Sequence, residues 1–256
     1  TGGEPTLRND LLTIISELAK IPELDIAMTT NGTRLEELAV PLRDAGLNRI
    51  TVSLDAIDPK TFEKMNDVSV PLEKVLSGLD SARQAGFNPI KINTVVRKNW
   101  NDQVIIQLID HFRNTGDIVR FIEFMDVGST NGWNMSDTIP TKELLTTINN
   151  HSPIVPTETN YSGEVAKRYQ FIDGSGEIGF ITSVTQPFCG TCTRARVSAD
   201  GKLYTCLFST AASLDLAELL RTEKDNGLIS EKLSGIWKNR NDRYSELRSQ
   251  MEPGKE

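Results

Sequence analysis

Three cysteines lie within one short window of the chain, and the sequence contains no others. Cys189, Cys192 and Cys206 follow the spacing C-x2-C-x13-C. Thiolates are soft ligands, so three of them brought together could hold a metal ion or an iron–sulfur cluster. The window therefore predicts a metal centre.

The residues between the cysteines predict a β-hairpin. Segments 195–199 and 202–206 have strand patterns and are joined by a tight turn at Asp200-Gly201. Regular pairing about that turn places Cys206 opposite Ala195. Arg194 and Arg196 then share the other face at period-2 spacing. Two cations beside a metal centre indicate an anionic substrate, although this register puts them on the face opposite Cys206.

Three interpretations of the cysteines are open. The least favoured interpretation is that the thiols are buried and pack as small hydrophobic side chains, because three cysteines are unlikely to occur in one hairpin by chance. Zinc takes four protein ligands in a structural site or three in a catalytic one, and neither His111 nor His151 has finger-like spacing to the cysteines. An iron–sulfur cluster normally has four thiolates, so three would leave one iron open to substrate. Spacing alone does not separate zinc from iron.

Two more cations interrupt apolar strand patterns. Lys91 lies in PIKINTVV and Arg120 in DIVRFIEFMD, where a charge is costly without a partner. Because the two strands are neighbours in the predicted order, we expect both side chains to turn inward and meet an anion.

Small polar residues and glycines occur near the predicted strand ends. One interpretation is that three of them, Thr30, Ser53 and Asn93, are ordinary strand-end caps. In TGGEP, Gly2 and Gly3 could let a ligand approach bare backbone. From the sequence alone, Met125 is interpreted as an ordinary core residue.

The elements that must position these residues follow one repeated pattern. Helical patterns end at Gly46, Gly86 and Gly116, and an apolar strand follows each glycine. Such βα units form either a doubly wound sheet or a barrel. A barrel is favoured because polar residues recur at the carboxyl ends of the strands, where barrel enzymes collect their catalytic groups.

The composition fits a large α/β chain. Its 256 residues can bury a sizeable core, and its net charge of -7 argues against bulk nucleic-acid binding. No apolar run has the length needed to span a bilayer. Three cysteines in one cluster do not form a disulfide framework, which indicates a reducing compartment.

We expect three parts along the chain. Residues 1–127 would form a partial barrel, residues 128–238 a β-rich C-terminal extension with the metal site, and residues 239–256 a charged, frayed tail. The loop following Gly128 is rich in Gly, Asn, Thr and Ser. The sequence opens at Thr1 with a turn and no preceding strand, so we expect it to be a piece of a longer protein.

Six stretches together resemble the GTP 3',8-cyclase family of radical S-adenosylmethionine enzymes. They are TGGEP, TTNG, ITVSLDA, IKINTVV, RFIEFMDVG and PFCGTCTRARVSADGKLYTCLF. The resemblance implies an α/β fold, an incomplete TIM-type barrel with a C-terminal extension that closes its mouth. It also implies a lyase that converts GTP to (8S)-3',8-cyclo-7,8-dihydroguanosine 5'-triphosphate in molybdopterin biosynthesis. A 5'-deoxyadenosyl radical would remove the C3' hydrogen so that C3' can bond to C8.

Residue roles carry over from the resemblance at matching positions, while catalytic residues stay unassigned. The expected ligands of an auxiliary [4Fe-4S] cluster, whose open iron contacts guanine, are Cys189, Cys192 and Cys206. The expected contacts to S-adenosylmethionine are Gly3, Ser53 and Met125. The expected contacts to GTP are Thr30, Lys91, Arg194 and Arg196, with Arg120 on the triphosphate.

Two features of the family are missing from this sequence. The C-x3-C-x2-C motif is absent, so we expect the second [4Fe-4S] cluster on a segment before Thr1 and expect this chain to be inactive alone. The C-terminal Gly-Gly of the family is absent as well.

Further expectations are cyclic pyranopterin monophosphate synthase as the next enzyme, no nucleic-acid or membrane partner, and a bacterial cytoplasmic or mitochondrial matrix location. A homodimer is left open.

Two alternative functions are left open. One is another radical enzyme with an auxiliary cluster, such as one that modifies a peptide. The other is a zinc-stabilised barrel that binds a nucleotide without chemistry.

Overall fold

The computed structural model describes residues 2–66, 70–127, 132–161 and 163–247. The chain divides into two compact units. The larger unit comprises Glu4–Met125 and Trp133–Thr185, and the smaller comprises Thr1–Gly3, Asp126–Gly132 and Gln186–Glu256.

The larger unit alternates helices and strands along the chain, as the sequence predicts. Its helices are α1 Leu11–Leu18, α2 Leu35–Asp44, α3 Pro59–Asn66, α4 Leu72–Gln84, α5 Ile105–Phe112 and α6 Thr141–His151. Its strands are β1 Ala27–Thr30, β2 Arg49–Ser53, β3 Lys91–Val96, β4 Ile118–Glu123, β5 Ile154–Pro156, β6 Lys167–Phe171 and β7 Glu177–Ile181. Short 3₁₀ turns lie at Pro5–Leu7 and Met135–Asp137.

The seven strands form one sheet in the order β1-β2-β3-β4-β7-β6-β5. The strands from β1 to β4 pair in parallel, and β7 pairs in parallel with β4. β6 and β5 continue the sheet in antiparallel fashion. β1 and β5 are the outer strands, so the sheet formed by the described residues is open. The predicted α/β class with a mainly parallel sheet is confirmed.

One face of the sheet packs against the helices. Buried positions alternate along β3 and β4, because successive strand residues point to opposite faces. Strand residues Ile92 and Phe121 belong to one hydrophobic cluster with helix residues Leu42, Leu79 and Leu108. The half-buried residues of the same strands therefore lie on the other face.

A close approach places the loop after β1 against α4. A Cβ atom added to Gly78 would lie 2.5 Å from the carbonyl oxygen of Gly32. Gly32 itself has a φ of +80°, a conformation that glycine adopts without strain. The TTNG loop is therefore fixed beside the carboxyl end of β1 by two glycines.

The smaller unit contains the cysteines. A 3₁₀ turn at Cys189–Thr191 is followed by β8 Arg196–Val197, β9 Lys202–Tyr204 and β10 Leu214–Asp215, which form an antiparallel sheet in the order β10-β9-β8. Helices α7 Leu216–Thr222, α8 Asn226–Lys238 and α9 Tyr244–Leu247 follow. Across the described residues, no helix has both the length and the apolar character needed to cross a membrane.

The two compact units have other bounds than the predicted parts of the chain, which stay a prediction. Helix α6 and strands β5 to β7 belong to the larger unit rather than to an extension beginning at residue 128, since β7 pairs with β4. The predicted charged tail contains the short helix α9 in its first part. Residues 128–131, at the start of the predicted loop, and 248–256, including the EPGKE end, lie outside the described residues.

Candidate functional site

A group of polar and basic side chains shares the face of the large sheet opposite the core. Thr51 lies opposite Lys91. Ser53 lies opposite Asn93, which in turn lies opposite Arg120. Arg120 connects the group, because its Nε donates to Asn93 Oδ1 at 2.9 Å and its Nη2 to Thr51 Oγ1 at 3.4 Å. The structure thus places Lys91 and Arg120 on one face of the sheet, while their contact with an anion stays a prediction.

Lys91 and Arg120 form a cation pair that lacks an ion-pair partner among the described residues. Burial lowers the pKa of Lys91, and the nearby charges of Arg120 and Arg49 lower it further, against the smaller opposing effects of Glu164 and Glu177. Burial also lowers the pKa of Arg120. Both charged forms are therefore disfavoured where they stand, and an anion placed between them would stabilise both.

Two other arginines near this face are already neutralised. Arg49 pairs with Asp25 at 2.6 Å, and Arg168 pairs with Glu177 at 2.5 Å. Their own carboxylates reduce the attraction that either could offer to an added anion. Lys91 and Arg120 have no such ion pair among the described residues.

Glu4 organises the end of β1, a role that the sequence analysis missed. Its carboxylate accepts hydrogen bonds from Thr30 Oγ1 at 2.6 Å, from Asn31 N at 2.8 Å and from Thr6 N at 3.0 Å. Partial burial acts to raise the pKa of Glu4, but the bonds from Thr30 and Thr6 outweigh it and lower the pKa. The signal lay in the acidic residue of TGGEP, directly after the two glycines.

Thr30 lies on the core side of β1 rather than beside the cation pair. It is opposite Val52, a core residue, and its side chain is 2% exposed. Its hydroxyl donates to Glu4 and accepts from Gly32 N at 3.1 Å. In this structure Thr30 has the strand-end role, while the nucleotide contact implied by the family resemblance stays a prediction.

The three residues expected to contact S-adenosylmethionine are divided between the units. Ser53 is exposed at the end of β2, on the face of Asn93 and Arg120. Met125 is half-buried at the end of a segment of the larger unit. Gly3 belongs to the smaller unit, with a φ of +69° and open space where a side chain would project. Their cofactor role stays a prediction.

Asp55 is a second carboxylate that the sequence analysis did not assign. Its Oδ1 accepts from Val95 N at 2.7 Å. Burial raises the pKa of Asp55 to about 6, against the smaller opposing effect of that bond. Asn101 donates to the carbonyl oxygens of Asp55 and Val95 at 2.9 and 2.8 Å. Together they hold the carboxyl ends of β2 and β3 in register.

Glu123 is a fully buried carboxylate at the end of β4. Its Oε1 accepts from Thr141 N at 3.0 Å and from the Thr141 hydroxyl at 2.9 Å. Its Oε2 accepts from Val184 N at 2.9 Å and from Thr185 N at 2.8 Å. One side chain therefore joins β4, the start of α6 and the segment after β7.

The first two cysteines lie at a short turn with an arginine against it. Cys189–Thr191 form a 3₁₀ turn, and Cys192 N donates to Cys189 O at 3.2 Å. Arg194 donates to Cys192 Sγ through both Nε and Nη2, at 3.3 and 3.2 Å. Its guanidinium also lies over the Phe188 ring, 5.0 Å from the centroid.

The hairpin register corrects the predicted one by a single residue. Arg196 lies opposite Tyr204 and Val197 opposite Leu203, so Cys206 does not pair with Ala195. The cause is a longer turn, in which Ser198 N donates to Lys202 O at 2.9 Å. Counting in twos from the Arg196 pair puts Cys206 on the arginine face. Electrostatic contact between Arg196 and Cys206 agrees with this placement.

The chemistry of these donors fits a metal centre. All three cysteines are free and half-buried. Burial acts to raise the pKa of Cys192, but hydrogen bonds from Arg240 and Arg194 outweigh it and bring the pKa to about 7. The thiolate is the form that binds metals.

The described residues contain no group of three or more His, Cys, Asp or Glu side chains arranged around a single ion. A zinc site requires such convergence, because its ligands share one ion. The thiolates of a [4Fe-4S] cluster bind separate irons but must also surround one cube, so the auxiliary cluster stays a prediction.

The two parts of the chain match two families. Residues 1–112 match the Radical SAM superfamily, and residues 117–246 match Molybdenum Cofactor Synthesis C. The second match includes Cys189, Cys192 and Cys206. Fold and matches together define a radical SAM chain with a molybdenum-cofactor-synthesis C-terminal region.

Curated relatives make the family more specific. The chain is 48% identical over 254 residues to the GTP 3',8-cyclase of Acidothermus cellulolyticus, covering 97% of this chain and 70% of the relative. It is 49% identical over 250 residues to that of Xanthomonas campestris, covering 97% and 73%. It is 44% identical over 252 residues to that of Staphylococcus haemolyticus, covering 98% and 74%. The chain belongs to the GTP 3',8-cyclase family, which confirms the resemblance seen in the sequence.

A solved structure shares the fold. The crystal structure of Streptococcus suis SuiB superposes with a TM-score of 0.56 at 16% identity, covering 97% of this chain and 62% of that one. At this level of identity the likeness concerns the fold alone.

Proposed function

We propose that this chain binds GTP and belongs to an enzyme that forms (8S)-3',8-cyclo-7,8-dihydroguanosine 5'-triphosphate from it, as a lyase of molybdopterin biosynthesis. The observation that carries the proposal is the Lys91 and Arg120 pair on the face of the sheet opposite the core. No described carboxylate forms an ion pair with either cation, although Glu164 and Glu177 act on Lys91 from a distance, and the chain is 48% identical to a named cyclase. A triphosphate supplies the concentrated negative charge that such a pair requires.

The protein's own contribution is binding and electrostatics. Lys91 would meet the phosphates as a point charge, and Arg120 would offer its planar group while Asn93 holds it. Arg194 and Arg196 of the smaller unit are proposed as further GTP contacts. Thr30 is kept as a GTP contact on the family resemblance alone. Several cations replace the phosphate-binding loop that the sequence lacks.

The family uses an iron–sulfur cluster and S-adenosylmethionine, and residues of this chain would hold both. Cys189, Cys192 and Cys206 would hold an auxiliary [4Fe-4S] cluster. Gly3, Ser53 and Met125 would contact S-adenosylmethionine. When bound with its own cluster, S-adenosylmethionine would supply the radical chemistry of the reaction. The chain's residues hold the nucleotide so that C3' and C8 are near each other.

The remaining expectations are part of the same proposal. The open sheet would be the incomplete barrel of the family, supported by its five parallel strands. Cyclic pyranopterin monophosphate synthase would act on the product. A bacterial cytoplasmic location is supported by the bacterial sources of the relatives and by the free cysteines.

Nucleotide binding tests the proposal directly. We expect Lys91→Gln and Arg120→Gln each to weaken GTP binding about tenfold or more, because each removes a charge-assisted contact. Binding of GMP should change little, since it lacks the distal phosphates. Lys74→Gln is a matched control, because Lys74 is an exposed lysine on α4. Calorimetry that gave one GTP affinity for all four proteins would contradict the proposal.

Metal content tests the auxiliary cluster separately. Anaerobic reconstitution of the chain with iron and sulfide should give a brown protein with about four irons. Cys206→Ser should lower that iron content. Stoichiometric zinc without iron would instead support the zinc-stabilised nucleotide-binding alternative.

A further inference from the structure

A short polar segment, residues 240–246, contacts the turn that carries two cysteines. Arg240 Nη1 donates to the carbonyl oxygen of Cys192 at 2.6 Å. The Arg240 side chain is only 10% exposed and pairs with Asp242 at 3.2 Å. Its guanidinium lies over the Trp237 ring, 5.0 Å from the centroid. A cation enclosed in this way has a fixed direction, so its bond also fixes the Cys192 carbonyl.

The same segment holds the other side of the turn. Glu246 Oε1 accepts from Gly190 N at 3.2 Å, and Gly190 directly follows Cys189. Glu246 Oε2 accepts from Arg243 Nε at 2.5 Å, which holds the carboxylate in place. The 240–246 segment thus forms hydrogen bonds with the backbone of Gly190, next to the first cysteine, and with the backbone of Cys192, the second cysteine.

Tyr244 extends these contacts to the region of the third cysteine. Its ring stacks on Phe208 with the centroids 4.5 Å apart and the planes at 17°. Phe208 lies two residues after Cys206. The Tyr244 hydroxyl donates to Asp126 Oδ2 at 2.6 Å. One segment therefore contacts the chain beside all three cysteines.

The turn needs such support because it is short. A single 3₁₀ turn with one bond across it has little stiffness of its own. Cluster ligands, in contrast, must be held within about 0.5 Å of their places. Bonds from outside the turn to Gly190 N and Cys192 O supply that rigidity.

We propose that the 240–246 segment is part of the iron–sulfur site, with Arg240 as a positioning residue that holds Cys192 through its carbonyl oxygen. The proposal deepens the proposed function and rests on its auxiliary cluster. The position requires an arginine rather than a lysine, because the planar guanidinium stacks on Trp237 while it donates to Cys192 O.

The first test compares Arg240→Gln with Lys238→Gln in the whole chain. Lys238 is exposed at the end of α8, two residues from Arg240, so its replacement removes a neighbouring charge only. After anaerobic reconstitution, we expect Arg240→Gln to release iron to a chelator at least tenfold faster than the native chain. Its reduced cluster should also have a changed electron paramagnetic resonance spectrum. Lys238→Gln should match the native chain, and Arg240→Lys should recover part of the slow release.

The second test needs no iron. In the iron-free chain, the Gly190 amide should exchange with solvent at least tenfold faster in Glu246→Gln, which weakens its acceptor, than in the native chain. This variant also keeps the proposal testable if Arg240→Gln does not fold, because its iron release should be faster too.

The outcomes are distinct. Equal iron release and equal spectra for native and Arg240→Gln protein would overturn the positioning role while leaving the cluster intact. A native chain that takes up no iron would overturn the auxiliary cluster and this inference with it. GTP binding measured by calorimetry would still decide the nucleotide part of the proposed function on its own.

Discussion

Arg196 lies directly opposite Tyr204 in the small sheet, so that the even-numbered residues of the hairpin share one face. A two-residue Asp-Gly turn would place Cys206 on the face away from the arginines. The observed turn is one residue longer, because Ser198 bonds to both backbone groups of Lys202. A shift of one residue moves every side chain to the opposite face. The cysteine and the two arginines thereby come to the same side.

The turn depends on Gly201. Its φ is +82°, and an added Cβ would lie 2.5 Å from Ala217 Cβ. We expect Gly201→Ala to lower the free energy of unfolding by about 2–4 kcal/mol, from backbone strain and the contact with α7. Urea denaturation followed by circular dichroism measures the change, and iron uptake should fall with it.

Gly235→Ala is the matched control for that substitution. Gly235 lies within α8, and an added Cβ would meet no atom within 4 Å. Alanine has the better helix propensity, so we expect this variant to be more stable than the native chain by up to about 1 kcal/mol. Equal losses of stability in both variants would show that the Gly201 turn has no special requirement.

Arg194 and Arg196 are expected to bind the nucleotide. Replacing both by alanine should weaken GTP binding on the order of 100-fold, because two charge-assisted contacts are lost. Calorimetry measures the affinity, and Arg221→Ala, at an exposed arginine of α7, controls for net charge. An unchanged affinity would remove both arginines from the site. Arg194→Ala alone also removes the bonds to Cys192 Sγ, so its iron content should be measured in parallel.

Glu123 is expected to be critical for stability. In Glu123→Gln, an amide NH2 would face backbone or hydroxyl donors that a carboxylate oxygen now accepts. Leaving buried donors without acceptors should cost about 2–4 kcal/mol in the free energy of unfolding. Glu143→Gln, at an exposed position in the first turn of α6, should stay within about 0.5 kcal/mol of the native chain. Similar denaturation midpoints for the two variants would contradict this role.

Asp55 gives the stability a pH dependence of defined sign. Its pKa in the folded chain is about 6, above the ordinary value of 3.8, so the folded state binds the proton more tightly than the unfolded state. The resulting stability is present below about pH 4 and is lost as the pH rises through 6, by up to about 3 kcal/mol.

Asp55→Asn does not ionise and tests that dependence. We expect it to gain stability relative to the native chain between pH 4 and pH 7, with the difference constant above that range. Thermal unfolding of both proteins across this pH series measures the effect. A difference that stayed the same at every pH would show that Asp55 does not titrate in this range.

Local patterns in the sequence were enough to predict the order of the helices and strands in the larger unit. Glycines at 46, 86 and 116 all have positive φ, as expected where a helix ends. The apolar strands form the predicted parallel sheet, and Lys91 and Arg120 share a face because strand alternation fixes the direction of a side chain. These features depend on residues close together in the chain.

Features that depend on distant partners were not predictable in the same way. Glu123 bonds to Val184, 61 residues away in sequence, and Arg240 bonds to Cys192, 48 residues away. No local pattern marks such pairs. Tertiary packing decides that Thr30 lies on the core side of its strand. Tertiary packing also gives the charged 240–246 segment its contacts, although its composition predicts a frayed tail.

The Lys91 and Arg120 pair links the stability of the larger unit to the concentration of its ligand. Burying two like charges side by side disfavours the folded chain when no anion is bound. An anion that binds the folded state alone reverses this by mass action, about 2.7 kcal/mol at a concentration 100 times its dissociation constant. In a cell, the folded fraction of this chain would therefore rise and fall with the supply of any anion that binds this pair.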